Sequence, residues 1–175
     1  LSNLEFVSRP YVLNSQRIKE ILSYFDTGYK NKEYHFNHTC GFHIHYSFTN
    51  SESNGQPVEL YSLPFYNYFI SRVKESYPIL FEKRTTFSHF CPAPRKTNDD
   101  IANDYERYCA INFLGAWEKH KTIEFRIWPA DTAEKMQEYI DFTTNCIKTF
   151  LDNADKFLKY RDYIDLSKID TNYQN

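Results

Sequence analysis

The sequence predicts an α+β fold, an antiparallel (mixed) β-sheet with helices packed on one face. Three observations carry this expectation. Cys40-Gly41-Phe42-His43-Ile44-His45-Tyr46 and Thr122-Ile123-Glu124-Phe125-Arg126-Ile127 alternate apolar and ionisable residues with the period of a strand. Met136, Tyr139, Ile140, Thr143, Ile147 and Phe150 instead recur with helical spacing and make one apolar face. The chain has 175 residues, 41% of them hydrophobic and 25% charged, which suits one globular domain with a real core.

Taken in order, Leu4-Glu5-Phe6-Val7-Ser8 alternates and reads as a strand stopped by Arg9-Pro10. The chain begins at Leu1, almost on that strand, so its natural N-terminus is expected upstream. Asn14 or Ser15 can cap a helix reaching about Phe25, with Ile18, Ile21, Leu22 and Phe25 as its stripe. A polar loop over 26–37 leads to a strand over 42–48, and a Ser/Asn/Gly/Pro loop spans 49–57. Residues 58–77 carry a helical pattern in which Pro64 marks a late start or a kink. Residues 85–95, with Pro92 and Pro94, read as irregular. Asn98-Asp99-Asp100 opens a short helix ending near Tyr105 or Arg107. Strands over 109–114 and 121–128 are joined by a hairpin over 115–120, and Trp128-Pro129 turns the corner into the next helix. That helix is capped by Asp131 or Thr132 and runs to about Leu151. Residues 1–152 are expected to form one catalytic-type domain, and 153–175 a charged helical tail.

Net charge is −2, which gives no global field for nucleic acid or an anionic membrane. No apolar run approaches the ~20 residues that span a bilayer, and no secretory leader opens the chain. Cys40, Cys91, Cys109 and Cys146 show no Cys-x-x-Cys spacing. Neither a disulfide framework nor a zinc knuckle is expected, and reduced thiols in a cytoplasmic protein are the default, with Cys40 and Cys109 as buried small apolar groups. The 15 Tyr and 15 Phe reflect either codon bias in an AT-rich genome or a functional demand for rings.

Three constellations could carry chemistry. His43 and His45 share one strand face, opposite Phe42, Ile44 and Tyr46. Such a pair is a common way to hold a divalent metal, and equally two incidental histidines on a half-exposed strand. Glu124 and Arg126 share a face opposite Ile123, Phe125 and Ile127. They read either as a carboxylate ligand for a hard cation beside an arginine fork for phosphate, or as an ordinary ion pair. Glu5, opposite Leu4 and Phe6, is the weakest sign. Gathered on one sheet, these residues would form a charged face suited to polyphosphate held with Mg²⁺ or Mn²⁺. His35, His38, His89, His120, Arg84 and Arg95 are expected on loops or solvated surface, with a site role as the alternative for some of them.

The order Leu4-Glu5-Phe6-Val7-Ser8-Arg9-Pro10, a helix, Cys40-Gly41-Phe42-His43-Ile44-His45, Arg107 with Asn112, and Thr122-Ile123-Glu124-Phe125-Arg126 resembles the amidoligase family of the glutamine synthetase and glutamate–cysteine ligase superfamily. The likeness covers about residues 4 to 150. It implies a glutamine-synthetase-like catalytic fold and an ATP-dependent reaction in which a carboxylate becomes an acyl-phosphate and an amine converts it to an amide. Residue by residue, it implies Glu5 and Glu124 as metal ligands and His43 as a metal-side contact to the phosphates. His45 becomes its supporting neighbour, Arg126 and Arg107 face the nucleotide or acyl-phosphate, and Asn112 lies close by. ATP with Mg²⁺ or Mn²⁺ would be required, and the substrates would be a small-molecule or peptide carboxylate and an amine. Since such sites often form at subunit boundaries, a homo-oligomer or association with an upstream segment is a further expectation. The family also has an earlier strand with a Glu-x-Glu pair that holds catalytic metal, and nothing before Leu4 supplies it. This keeps a second reading open, the same fold as a non-catalytic binding or assembly module. A third, a His-x-His metal enzyme of another class, is disfavoured by the long helical patterns and by the lack of a well-placed third histidine.

Overall fold

The computed structural model describes residues 5–37, 39–48, 57–86, 91–103, 108–113 and 122–159. The chain is α+β. Helix α1 (Gln16–Lys30) starts at Ser15, whose hydroxyl accepts from the Arg17 N–H, so Ser15 and not Asn14 is the cap. The helix outlasts its expected end at Phe25. An Asp26–Lys30 ion pair one turn apart supports the extra turn, and the Tyr34 ring folds back to donate its hydroxyl to the Phe25 carbonyl. Strand β1 (Ile44–Tyr46) follows, then a 3₁₀ turn (Val58–Leu60). Helix α2 (Leu63–Ser76) is capped by Ser62, whose hydroxyl accepts from the Phe65 N–H; Pro64 sits in the first turn and marks a late start, not a kink. Helix α3 (Pro78–Thr86) restarts at once on Pro78 and extends into the segment expected to be irregular. The short α4 (Asn98–Asn103), β2 (Ile111–Asn112) and β3 (Ile123–Phe125) come next. Helix α5 (Ala133–Asp152) is capped by the Thr132 hydroxyl on the Lys135 N–H, and α6 (Ala154–Phe157) adds one turn.

The three strands form one antiparallel sheet in the order β1-β3-β2. Ile44 faces Phe125, His45 faces Glu124 and Tyr46 faces Ile123 on one side of β3, while Ile111 faces Phe125 and Asn112 faces Glu124 on the other. Pairing continues past the ladder. Phe42 donates to the Trp128 carbonyl, Ala130 donates to that of Cys40, and Gly41 bridges Pro129. The register sends Ile44, Tyr46, Ile111, Ile123 and Phe125 to one face, where they meet Phe65, Phe69 and Phe150 of α2 and α5 in the main core. Trp128 is buried at the predicted corner, stacked on Tyr139 at 4.6 Å and donating its indole N–H to Thr143. Helix α1 packs on α5 through Leu22, Met136 and Ile140.

Several expectations are corrected. Residues 5–10 form no strand and do not join the sheet; Phe6 instead packs edge-on against Phe25 and beside Tyr34, so a local alternation found no strand partner. Cys40 is half-buried, whereas Cys91, Cys109 and Cys146 are buried, and none of the four forms a disulfide. The tail begins on the core, with Leu158 buried and Phe157 stacked on Phe150. Leu4, His38, the 49–56 loop, His89, Arg107, the 115–120 hairpin and residues 160–175 lie outside the described residues. Among the described residues no helix is long and apolar enough to cross a membrane.

Candidate functional site

The face of the sheet turned away from the core carries Glu124 at its centre. It lies on the middle strand, so its neighbours come from both sides: His45 across one ladder and Asn112 across the other. Two residues along the same strand direction, Arg126 shares the face, as period 2 requires. His43 reaches the same spot from the run before β1. The Asn112 amide donates to Oε2 of Glu124 at 2.8 Å, and Arg126 Nη1 donates to Oε1 at 2.6 Å. His43 Nδ1 stands 3.2 Å and His45 Nε2 3.6 Å from the same Oε1. Four side-chain nitrogens thus converge on one carboxylate, two of them as established donors.

Depth separates these groups. Glu124 and Arg126 are about 6% and 5% exposed, whereas the imidazole of His45 is half exposed and that of His43 partly so. Burial alone would raise the Glu124 pKa. The hydrogen bonds from His43 and Asn112 and the charges of Arg126 and His45 outweigh it and bring the value down to about 2. Glu124 is therefore held as an anion at the floor of a rim of imidazole, amide and guanidinium groups. His45 Nδ1 lies 3.3 Å from the Thr122 hydroxyl, and the Arg126 guanidinium lies over the Tyr108 ring, 5.5 Å from its centroid.

Behind the face sits a residue expected at the surface. Arg84 of α3 is buried. It donates from Nε to the Ile127 carbonyl at 3.1 Å, and from Nη2 to those of Arg126 and Trp128 at 3.3 and 3.4 Å. Desolvation pushes its pKa down. It ties together the backbone that leaves β3 and thereby fixes where the Arg126 side chain departs. Its spacing from Leu80 and Phe81, both packed on the core, was the available signal: Arg84 lies on the apolar side of its helix. Tyr108 and Thr122 also join the site; Tyr108 lies in no motif, whereas Thr122 opens the Glu124 strand motif and shares the face of Glu124 by the same period of 2. The structure brings together His43, His45, Asn112, Glu124 and Arg126 of the expected set. Glu5 is exposed and off the sheet, His35 and Arg95 are exposed, and Arg107 lies outside the described residues.

A divalent cation is a poor fit to this donor set. Oε1 of Glu124 already faces three nitrogens and Oε2 accepts from Asn112. Among the described residues, no three His, Cys, Asp or Glu side chains gather as a metal-holding group. What the arrangement can do chemically is present imidazole edges, backed by the Glu124–Arg126 ion pair, to a hydrogen-bonding ligand. Comparison with known protein families, with curated proteins and with solved structures gives no match.

Proposed function

We propose that this chain is an ATP-dependent carboxylate–amine ligase on a glutamine-synthetase-like sheet, forming an amide through an acyl-phosphate. One observation carries the reading. Two motifs far apart in sequence, Gly-Phe-His-Ile-His and Ile-Glu-Phe-Arg, meet in a register that puts every one of their ionisable residues on one face. In this reading His43 and His45 line the place of the nucleotide phosphates, and Arg126, braced by Glu124, supplies positive charge at its floor. Magnesium would come with the nucleotide phosphates and would supply further neutralisation of their charge. A substrate carboxylate oxygen would attack the γ-phosphorus as ADP leaves. The amine nitrogen would then attack the acyl carbon, and inorganic phosphate would leave with the C–O bonding pair and take up the proton that the nitrogen loses.

A second reading has its own support. With Glu124 engaged by Arg126 and Asn112, and Glu5 exposed away from the sheet, the same face serves a non-catalytic binding or assembly module. Calorimetric titration with ATP, with and without Mg²⁺, tests the first reading directly. Binding by the wild-type chain that is weakened by His43→Ala and by Glu124→Gln is expected. A wild-type chain that binds no nucleotide sinks the ligase reading. Variants that bind as well as the wild type sink the residue assignments.

A further inference from the structure

His43 is gripped on both ring edges. On one edge its Nδ1 stands 3.2 Å from Oε1 of Glu124, a carboxylate that is ionised down to about pH 2 and can only accept. On the other edge the ring lies against the backbone of Gly41. A Cβ built on Gly41 would stand 2.7 Å from Nε2 and 3.1 Å from Cδ2 of His43, and 3.2 Å from Nη2 of Arg84. The first distance is closer than real Cβ atoms come to other atoms, so the imidazole occupies the room that any other residue at position 41 would fill. The backbone of Gly41 is otherwise tied down, by its bridge to Pro129 and by the flanking bonds from Phe42 to Trp128 and from Ala130 to Cys40.

We propose that Gly41 is a positioning residue for this site: its missing side chain lets the His43 ring seat against Glu124 and fixes it as the Nδ1–H tautomer. Arg126 Nη1 also lies 3.4 Å from Nδ1, and an unprotonated Nδ1 could accept from it. The carboxylate decides between the two. An Nδ1 lone pair would face the Oε1 lone pairs at 3.2 Å, while an N–H there completes the set of donors around a charge that Arg126 already serves at 2.6 Å. Nε2 is then the nitrogen without the proton, on the ring edge that Gly41 seats.

The proposal separates Gly41 from an ordinary small residue in a strand. Nothing about Gly41 itself demands glycine, because its φ lies outside the left-handed region and its backbone suits alanine. The group that must move most is the end of the His43 side chain, which can rotate away, while the Arg84 guanidinium at 3.2 Å must give by a few tenths of an ångström. Gly41→Ala should therefore fold and lose chiefly the seat of His43.

The test is long-range ¹H–¹⁵N NMR of the imidazoles in the full chain at neutral pH, comparing wild type, Gly41→Ala, His43→Ala and the double variant. The wild type should show His43 as the Nδ1–H tautomer. Gly41→Ala should lose that signature while His45 keeps its own and the amide fingerprint remains that of a folded chain. In thermal unfolding, most of any loss caused by Gly41→Ala should vanish in the His43→Ala background, since the shorter clash is with that ring and only the 3.2 Å contact to Arg84 remains. A wild-type Nε2–H tautomer, an unchanged His43 signature in Gly41→Ala, or a Gly41→Ala penalty that persists undiminished without His43 would each overturn the proposal. A further arm rests on the nucleotide reading of the same site: Gly41→Ala should weaken MgATP binding about tenfold, as loss of an orienting contact does. If the wild type binds no ATP, that reading fails, while the tautomer and unfolding arms still decide this one.

Discussion

Replacing Glu124 by Gln keeps the shape of the side chain and removes its charge, so it isolates the electrostatics of the site. In the folded chain the carboxyl is brought from an ordinary 4.5 to about 2. Each factor of ten in proton affinity corresponds to about 1.4 kcal/mol, so the difference amounts to about 3 kcal/mol, or about 2–3 kcal/mol once water on the His45 side is allowed for. The folded value lies below the unfolded one. The charged carboxylate therefore stabilises the fold fully above about pH 5, and this contribution is lost as the pH falls toward about 2. Glu124→Gln should be less stable than the wild type by about 2–3 kcal/mol at neutral pH, because Arg126 is left buried beside a neutral amide whose NH₂ group is one more donor. The gap should narrow by up to about 1.4 kcal/mol per pH unit below about pH 4.5, so that less than half of it remains near pH 3. Urea unfolding of both proteins at a series of pH values measures the gap directly and cancels the other carboxylates. A gap that stays constant from neutral pH to about pH 3 would refute the claim that Glu124 is held as an anion by its neighbours.

Two further outcomes follow from the framework around the site. Arg84→Met should cost about 3 kcal/mol, roughly 1 kcal/mol for each of the three backbone carbonyls it leaves without this donor. Thermal unfolding should fall by about 6–12 °C, and Arg84→Lys should recover less than half, because an ammonium lacks the fork that spans three acceptors. Thr132→Ala should cost about 1 kcal/mol by removing the cap of α5, visible as a drop of about 2–4 °C, whereas Thr132→Ser should stay near wild type.

The parts of the fold legible in the sequence are those where a local pattern and its tertiary partner agree. Period 2 around His43 and Glu124 assigns the two faces correctly, because β1 and β3 pair with each other and both bury their apolar side. Thr132 and Ser15 mark their helices because capping is chemistry within a few residues. Residues 4–8 show the same alternation as β1, yet alternation names a strand only if another strand stands beside it, and residues 5–8 have Phe25 and Tyr34 instead. α3 is not legible because Pro78 follows directly on the helical run that ends near Tyr77, where a proline equally marks a stop or a first turn. Sequence also gives the face of a residue but not its depth. Arg126 was expected to face phosphate, yet it lies nearly buried under Tyr108 and against Glu124. Arg84 was assigned to the surface because charge alone suggests it.

Depth also bears on what the site is for. A buried Glu–Arg pair is a weak device for stability, since apolar residues of the same volume often do as well or better. Nor does the pair act alone here: Asn112 and two imidazoles are drawn to the same carboxylate, and those imidazoles are the exposed members of the group. An apolar pair in place of Glu124 and Arg126 could hold β3 in its sheet, but it would give His43 and His45 nothing to lean on. The geometry makes sense if the buried charges serve the rim, with Glu124 setting ring orientation, Arg126 keeping Glu124 ionised, and Arg84 and Gly41 fixing the strand ends from which Arg126 and His43 depart. Each of these groups acts through another toward one outward feature, the partly exposed imidazole pair of His43 and His45. That pair is where a ligand of this protein should first be sought.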